Sequence, residues 1–347
     1  MGNKSIILNQ KKEFSNNQNN NKSKIKDFSI NQKEINSEKI KCKSIINEHK
    51  KWINCIISLK NKNFASCSGD LSIKIFSGLL KDNFKCLINI ENAHLNYILY
   101  LTQLINENIV SCSSDGSIKF WKINFDKLNY ILLFTLNEHQ NDVWKLIQLK
   151  NLNLVSCSSD KTIKIWKEKE NEINKYEKIK EIKGYNLYIE SILEIKTNDN
   201  INYLLSGGGD LSIKFYDINN NFNLIFQIDN FYIVHQMSFI QIDNNKICCG
   251  GNGNGFISII NFRNFQIETN IKINFNDIYV INLLKNGNII ISGKDKNLII
   301  IKKNTYKKEF IKNNIHDDYV HGIIEIDSNY LVTCSSDNTI KVWEIEY

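Results

Sequence analysis

From about residue 40 onward the chain is built of short runs in which apolar and polar residues alternate. In WKLIQLKNLNLVSCSS (144–159) large apolar side chains alternate with polar ones, an Asn-Leu-Asn interrupts them, and a second run follows. A period of two broken by turn-forming residues predicts strand, tight turn, strand. TIKIW (162–166) supplies a third alternating run, and beyond a polar loop comes a fourth, of the kind seen in YILLFTL (130–136).

This four-strand pattern repeats. SCSSDGSIKFW (111–121) returns as SCSSDKTIKIW (156–166) and as TCSSDNTIKVW (333–343), with looser copies SCSGDLSIKIF (66–76) and SGGGDLSIKFY (206–216). Two more copies are degraded, GGNGNGFISII with Asn254 at the anchor and IISGKDKNLIII with Asp295 there. The anchors 70, 115, 160, 210, 254, 295 and 337 are spaced by 45, 45, 50, 44, 41 and 42 residues. Seven units of about 45 residues fit one four-stranded propeller blade each. A second mark accompanies four of them: His49, His94, His139 and His316 each precede their anchor Asp by 21 residues, so His and Asp are expected to meet in space.

With these residues in view the sequence resembles the WD-repeat family of β-propellers over roughly residues 39–347. The His is preceded by Glu, Ala, Glu and Ile where the family has Gly, and the closing Trp-Asp reads Trp121-Lys122, Trp166-Lys167 and Trp343-Glu344, or Tyr216-Asp217. The resemblance implies an all-β fold, a seven-bladed β-propeller of four-stranded antiparallel blades. It also implies a buried structural network of His, Asp, Ser or Thr, and Trp. That network maps onto His94, Asp115, Ser111 and Trp121; onto His139, Asp160, Ser156 and Trp166; and onto His316, Asp337, Thr333 and Trp343. Phe76 replaces Trp in the first unit, and Tyr185 and Tyr216 replace His and Trp in the fourth. Ser, His and Asp recur in every good unit, which argues against catalysis, since one active site has no use for several copies; no catalytic residue is assigned.

The last unit ends one strand short, while KIKCKSIINEH (39–49) alternates ahead of the first unit. It is expected to supply the missing outer strand and close the ring. Residues 1–38, rich in Asn, Gln, Lys and Ser, are expected to form a disordered tail. Ten Lys and five acidic residues up to position 48 give +5 of the chain's net +7, so most of the basic excess lies there. Ile6 stands where a myristoylation signal wants Ser or Thr. One Arg, Arg263, against 43 Lys argues against a nucleic-acid partner, because phosphate and base recognition lean on Arg forks.

Of nine Cys, four (Cys67, Cys112, Cys157 and Cys334) stand three residues before an anchor, and no Cys-x-x-Cys occurs. They read as small buried packing residues rather than metal ligands, and free thiols without a secretory signal point to an intracellular, cytoplasmic rather than nuclear, protein. GGNGNG (250–255) leads into a strand, not a helix, so it is no phosphate cradle. No metal, cofactor or small-molecule substrate is expected, and no apolar run is long enough to span a membrane.

What remains is a binding face. In the family, partners commonly sit where loops lead into the innermost strands, on residues three and five positions after the His. Here these are Trp52 and Asn54, Tyr97 and Leu99, Asp142 and Trp144, Tyr188 and Glu190, and Tyr319 and His321, with Ile233 and His235, and Asp277 and Tyr279, aligned in the units lacking His. The small residues beside the anchors, Gly69, Ser114, Ser159, Gly209 and Ser336, are expected to leave the aromatics accessible. Aromatic rings are effective interface anchors, and Asp142, Glu190 and Asp277 favour a basic peptide. The expected function is a non-catalytic interaction scaffold or adaptor. The alternative is a substrate-recognition propeller of a ubiquitin-ligase or kinase complex whose catalytic part is another chain. For that reading Arg263 stands where some ligase receptors carry Arg, although Ile260 and Asn261 replace the Trp and Asp before it.

Overall fold

Seven twisted sheets stand around a central channel in a computed structural model that describes residues 25–26, 40–79, 83–170, 172, 175–197, 202–229, 238–251, 255–273, 275–327 and 329–346. Two strands come first, β1 (Ile25–Lys26) and β2 (Ile40–Ile46). Blade 1 holds β3 (Ile53–Ser58), β4 (Phe64–Ser68), β5 (Ile73–Phe76) and β6 (Cys86–Ile90). Blade 2 holds β7 (Ile98–Gln103), β8 (Ile109–Ser113), β9 (Ile118–Asn124) and β10 (Asn129–Leu136); blade 3 holds β11 (Val143–Gln148), β12 (Leu154–Ser158), β13 (Ile163–Glu168) and β14 (Tyr176–Ile182). Blade 4 consists of β15 (Ile189–Ile195), β16 (Tyr203–Gly208), β17 (Ile213–Asp217) and β18 (Asn223–Ile228). In blade 5 come β19 (Ser238–Gln241), β20 (Lys246–Gly250), β21 (Phe256–Asn261) and β22 (Gln266–Lys272), and in blade 6 β23 (Ile278–Leu283), β24 (Ile289–Gly293), β25 (Leu298–Ile301) and β26 (Lys308–Lys312). Blade 7 takes β27 (Val320–Asp327), β28 (Tyr330–Ser335) and β29 (Ile340–Ile345). No helix occurs among the described residues.

The ring closes as the sequence leads one to expect. β2 lies antiparallel to β29, Ile40 opposite Ile345, Cys42 opposite Trp343 and Ile46 opposite Ile340, so the outer strand of blade 7 comes from the other end of the chain. Ile40 and Ile46 are buried there, and Lys43 reaches Glu344 at 2.7 Å. One pairing was not expected. β1 runs parallel to the outer edge of β22, Ile25 opposite Asn270, and makes blade 5 five-stranded. The other residues of the 1–38 tail lie outside the described residues.

Blade packing follows from composition. The second strands, FASCS, IVSCS and LVSCS, are buried at every position. Their Ser and Cys side chains are small enough for neighbouring sheets to approach closely while Ile, Leu and Val fill the gaps. Outer strands are largely open to solvent instead, as in β14, YEKIKEI, where Tyr176 and Ile182 at the ends are buried and the Glu177-Lys178-Ile179 stretch is exposed. Blade 5 packs against blade 6 largely through isoleucine, with Ile257, Ile259, Ile278, Ile289 and Ile291 in one cluster.

Candidate functional site

Each polar network begins at a tight turn between the second and third strands. The residue after the anchor Asp adopts a left-handed conformation in six blades: Leu71 (φ 70°), Gly116 (80°), Lys161 (67°), Leu211 (58°), Lys296 (61°) and Asn338 (66°). Only Gly takes that conformation freely, and at Leu71, Lys161, Leu211 and Asn338 the preceding Asp side chain holds the turn. Asp160 Oδ1 accepts the Thr162 N–H at 3.0 Å and its hydroxyl at 2.6 Å. Ser72, Ser117, Ser212 and Thr339 bind their own Asp in the same way. This hydroxyl was missed in the sequence, although Asp-x-Ser/Thr recurs in five units and could have shown it.

The second carboxylate oxygen reaches back to the histidine. His139 Nδ1 lies 2.6 Å from Asp160, His94 Nδ1 3.1 Å from Asp115, His316 Nδ1 2.8 Å from Asp337 and His49 Nδ1 2.9 Å from Asp70. On the far side of the ring, Nε2 lies 2.7 Å from Ser156, Ser111, Thr333 and Ser66 respectively. Trp166, Trp121 and Trp343 donate their indole N–H to Ser156, Ser111 and Thr333 at 2.8–2.9 Å. The indole can only donate, so the hydroxyl accepts from it, and its own proton remains to serve Nε2 while Nδ1 faces the carboxylate, an acceptor. That leaves the imidazole neutral with its proton on Nδ1, donated to the carboxylate. Burial lowers the pKa of His94, His139 and His316, against the pull of their aspartates. For the aspartates burial acts upward, but hydrogen bonds from the His and the turn hydroxyl outweigh it and hold them well below the usual range. All four network members are thus brought together in blades 2, 3 and 7.

Blade 4 solves the same problem with other groups. Tyr185 Oη lies 2.6 Å from both Ser206 Oγ and Tyr216 Oη. Asp210, without a histidine, takes Lys214 at 3.0 Å, and the lysine lies 3.6 Å from the centre of the Tyr185 ring. In blade 6, Asp295 accepts the backbone and side-chain N–H of Asn276 at 2.6 and 3.1 Å. The anchor Asn254, and Ile233 and His235, lie outside the described residues.

The residues expected to bind partners separate into two rings. Those five positions after the His or at the equivalent place in units lacking it, namely Asn54, Leu99, Trp144, Glu190, Tyr279 and His321, line the mouth of a central cavity of about 720 Å³. Each occupies a β-bulge at the start of its inner strand, between Ile53 and Cys55, Ile98 and Tyr100, Val143 and Lys145, Ile189 and Ser191, Ile278 and Val280, and Val320 and Gly322. The extra residue is released from the ladder and turned towards the channel. Trp52, Tyr97, Asp142, Tyr188 and Tyr319 stand outside this ring, just ahead of the inner strands.

The small turn residues are seats rather than clearings. A Cβ on Gly69 would lie 2.6 Å from the Trp52 indole, and one on Gly209 would lie 2.5 Å from the Tyr188 ring, so both rings rest directly on the glycine. Where the turn carries Ser, Trp144 donates to Ser159 at 2.7 Å, and His321 lies 2.7 Å from Ser336. Aromatics also meet between blades. Trp52 and Tyr97 pack edge to face at 5.0 Å, Tyr279 and Tyr319 at 5.7 Å, and Tyr279 stacks on His321 at 5.4 Å. Burial drives the His321 pKa down to about 4, so its imidazole is neutral. Tyr97 remains 38% exposed and neighbouring Leu95 90%.

Lysines stand over this surface. Lys51 lies 5.9 Å from the Trp52 ring and 5.6 Å from that of Tyr97; Lys294 lies 5.8 Å from Tyr319 and pairs with Asp277 at 3.0 Å. Lys145 in the channel wall lies 5.6 Å from the Tyr100 ring, and burial lowers its pKa. Arg263 is elsewhere, after β21, with its guanidinium 3.1 Å from Asn245 Oδ1. Among the described residues, no group of three His, Cys, Asp or Glu side chains is arranged to hold a metal.

Comparison with known proteins agrees with this geometry. The family model "WD domain, G-beta repeat" matches residues 40–77, 85–122, 131–167 and 311–344, the four stretches that contain the His–Asp pairs of blades 1, 2, 3 and 7. Among solved structures, the WD40 beta propeller domain of Doa1 superposes with a TM-score of 0.72 at 18% identity, over 88% of this chain and 97% of that one. At that identity the likeness speaks for the fold.

Proposed function

Because this chain belongs to the WD-repeat family, whose propellers commonly act as protein-interaction scaffolds, we propose that it is a non-catalytic scaffold or adaptor whose partner docks over the channel mouth. One observation carries the reading: residues from six blades converge on that mouth at bulges, released from sheet pairing, and the surrounding aromatic rings are held in fixed seats. Rings fixed in advance lose little entropy on binding. The repeated His, Asp and Ser side chains are committed to one another, which supports a structural role for them. Charge at the mouth is mixed. Asp142 and Glu190 are acidic, but Lys294 pairs with Asp277 and Lys51 covers Trp52 and Tyr97. Recognition is therefore assigned to the aromatics and not to a basic partner. An intracellular location belongs to the same reading, supported by the buried thiols at the repeated cysteine position.

The test is quantitative pull-down from native cells with full-length wild type, Trp144→Ala, Tyr319→Ala and Tyr130→Ala, each with its melting temperature. Tyr130 lies on the outer strand β10 and serves as control. Loss of a rim anchor should cost about 2 kcal/mol, roughly thirtyfold in affinity, in a protein that is still folded. Normal binding by both rim variants, or loss only through unfolding, would place the interaction surface elsewhere.

A further inference from the structure

Opposite each repeated cysteine, on the inner strand of the same blade, stands one residue that lines the central channel. Tyr100 faces Cys112, Lys145 faces Cys157 and Gly322 faces Cys334. In blade 1 that residue is Cys55, directly opposite Cys67. Residues directly opposed in an antiparallel pair have Cα atoms about 4.5–5.5 Å apart, within the span a disulfide bridges. Side chains at opposed positions share one face of the sheet, and both thiols turn towards the inner strand of the next blade, Cys67 Sγ 3.6 Å from the Ile98 carbonyl and Cys55 Sγ 4.0 Å from that of Leu101. Cys248 and Cys249, the other neighbours in sequence, are consecutive on β20 and point to opposite faces.

We propose that Cys55 and Cys67 form a peroxide-reactive thiol pair in the channel wall, with Cys55 attacking first and Cys67 resolving the product to a disulfide. Cys55 borders the cavity at 7% exposure, whereas Cys67 is fully enclosed, so a small oxidant entering the channel meets Cys55 first. The lysine in the channel wall favours the same order. The Cys67 thiol beside it lowers the Cys55 pKa against the effect of burial, helped by the Leu101 backbone and by the Lys145 charge. Burial raises that of Cys67. Among the described residues Lys145 makes no ion pair with a carboxylate, so its ammonium is left to favour the Cys55 thiolate.

In the first step the Cys55 thiolate attacks one peroxide oxygen. The O–O bond breaks, Cys55 becomes a sulfenic acid, and hydroxide leaves to be protonated to water. In the second, the Cys67 sulfur displaces the sulfenic oxygen, which departs with the thiol proton as a second water while the S–S bond forms. Two thiols lose two electrons and two protons, and one hydrogen peroxide is reduced to two waters.

The experiment treats the reduced full-length protein with equimolar hydrogen peroxide, alkylates remaining thiols in denaturant, digests with trypsin without reductant and maps the peptides by mass spectrometry. Peptides 52–60 and 63–74 should appear joined, lighter by two hydrogens than their sum, before the exposed thiol of Cys42 is consumed. Cys67→Ser should yield no joined peptide but a dimedone adduct on Cys55, and Lys145→Met should slow joining severalfold. Recovery of Cys55 and Cys67 fully alkylated while Cys42 is oxidised would overturn the proposal. So would a Cys67→Ser protein whose Cys55 takes no dimedone. An unchanged rate in Lys145→Met would remove the lysine from it. Because the first measurement uses the wild-type chain, a variant that fails to fold leaves the test intact.

Discussion

Asp160 accepts four hydrogen bonds through its side chain, from His139, the backbone of Gln140, and the backbone and hydroxyl of Thr162. Asp160→Ala leaves a buried imidazole and several donors without an acceptor. It should destabilise the fold by about 2–4 kcal/mol, measured by chemical denaturation, and a loss under about 0.5 kcal/mol would show that the turn holds without its carboxylate. The next residue tests the other half of the turn. Lys161 is exposed and left-handed at φ 67°, a conformation costly for any residue with a Cβ. Lys161→Gly should therefore raise stability, by up to about 1 kcal/mol; a decrease would mean that the lysine makes contacts worth more than the strain. Much of this scale was legible in advance. The 21-residue interval from His to Asp named the network members because both residues are polar, rare and regularly spaced. The seating of Trp52 on Gly69 was not, since a glycine in a turn has several uses and only coordinates show which ring fills its missing Cβ.

Among the elements, β2 is the most informative. It was legible because it alternates and because blade 7 otherwise lacks an outer strand. A protein lacking residues 1–38 should melt within about 2 °C of wild type, a stability change below roughly 1 kcal/mol, since within that segment only the two-residue β1 pairs with a blade among the described residues. Removing 1–48 takes away Ile40, Ile46 and the cover over β29, and should give unfolded or aggregated material. Equal melting temperatures for the two would refute the closure. Two features of this scale were hidden. A two-residue parallel pairing such as β1 on β22 has no sequence pattern. The bulges at Asn54, Leu99, Trp144, Glu190, Tyr279 and His321 are also invisible, because one extra residue in one strand leaves the local alternation almost unchanged. Treating positions three and five after the His as a single surface was the natural reading, and the bulge is what separates them into an outer and a channel-lining ring.

The molecule as a whole shares its polar networks among blades, and they act in concert on acidification. Folded Asp115, Asp160 and Asp337 hold protons more weakly than unfolded carboxylates, which titrate near 3.8. The stability they lend is complete above that value and is lost as the pH falls through it towards their folded pKa. His94, His139 and His316 are also depressed, below an ordinary 6.5. The unfolded chain therefore takes up protons first once the pH drops under 6.5, which again favours unfolding. The melting temperature should decline from pH 7 towards pH 5 and more steeply below 4; a profile that is flat or rises on acidification would contradict the neutral-imidazole assignment. At this scale the period of about 45 residues made the ring legible. The docking face was legible only as positions, because its charge depends on lysines such as Lys51 and Lys294 that belong to no repeat pattern.

The pairing of β2 with β29 also bears on how the chain is made. Synthesis proceeds at roughly 5–20 residues per second, so tens of seconds separate the appearance of β2 from that of its partner on the ribosome. Throughout that interval β2 is a strand without a sheet, the kind of segment that sticks to other nascent chains. Its sequence, IKCKSII, places Lys41 and Lys43 among the apolar residues, and charges on a waiting strand discourage foreign pairing. The same positions then serve the closed ring, where Lys43 pairs with Glu344 of the strand that arrives last.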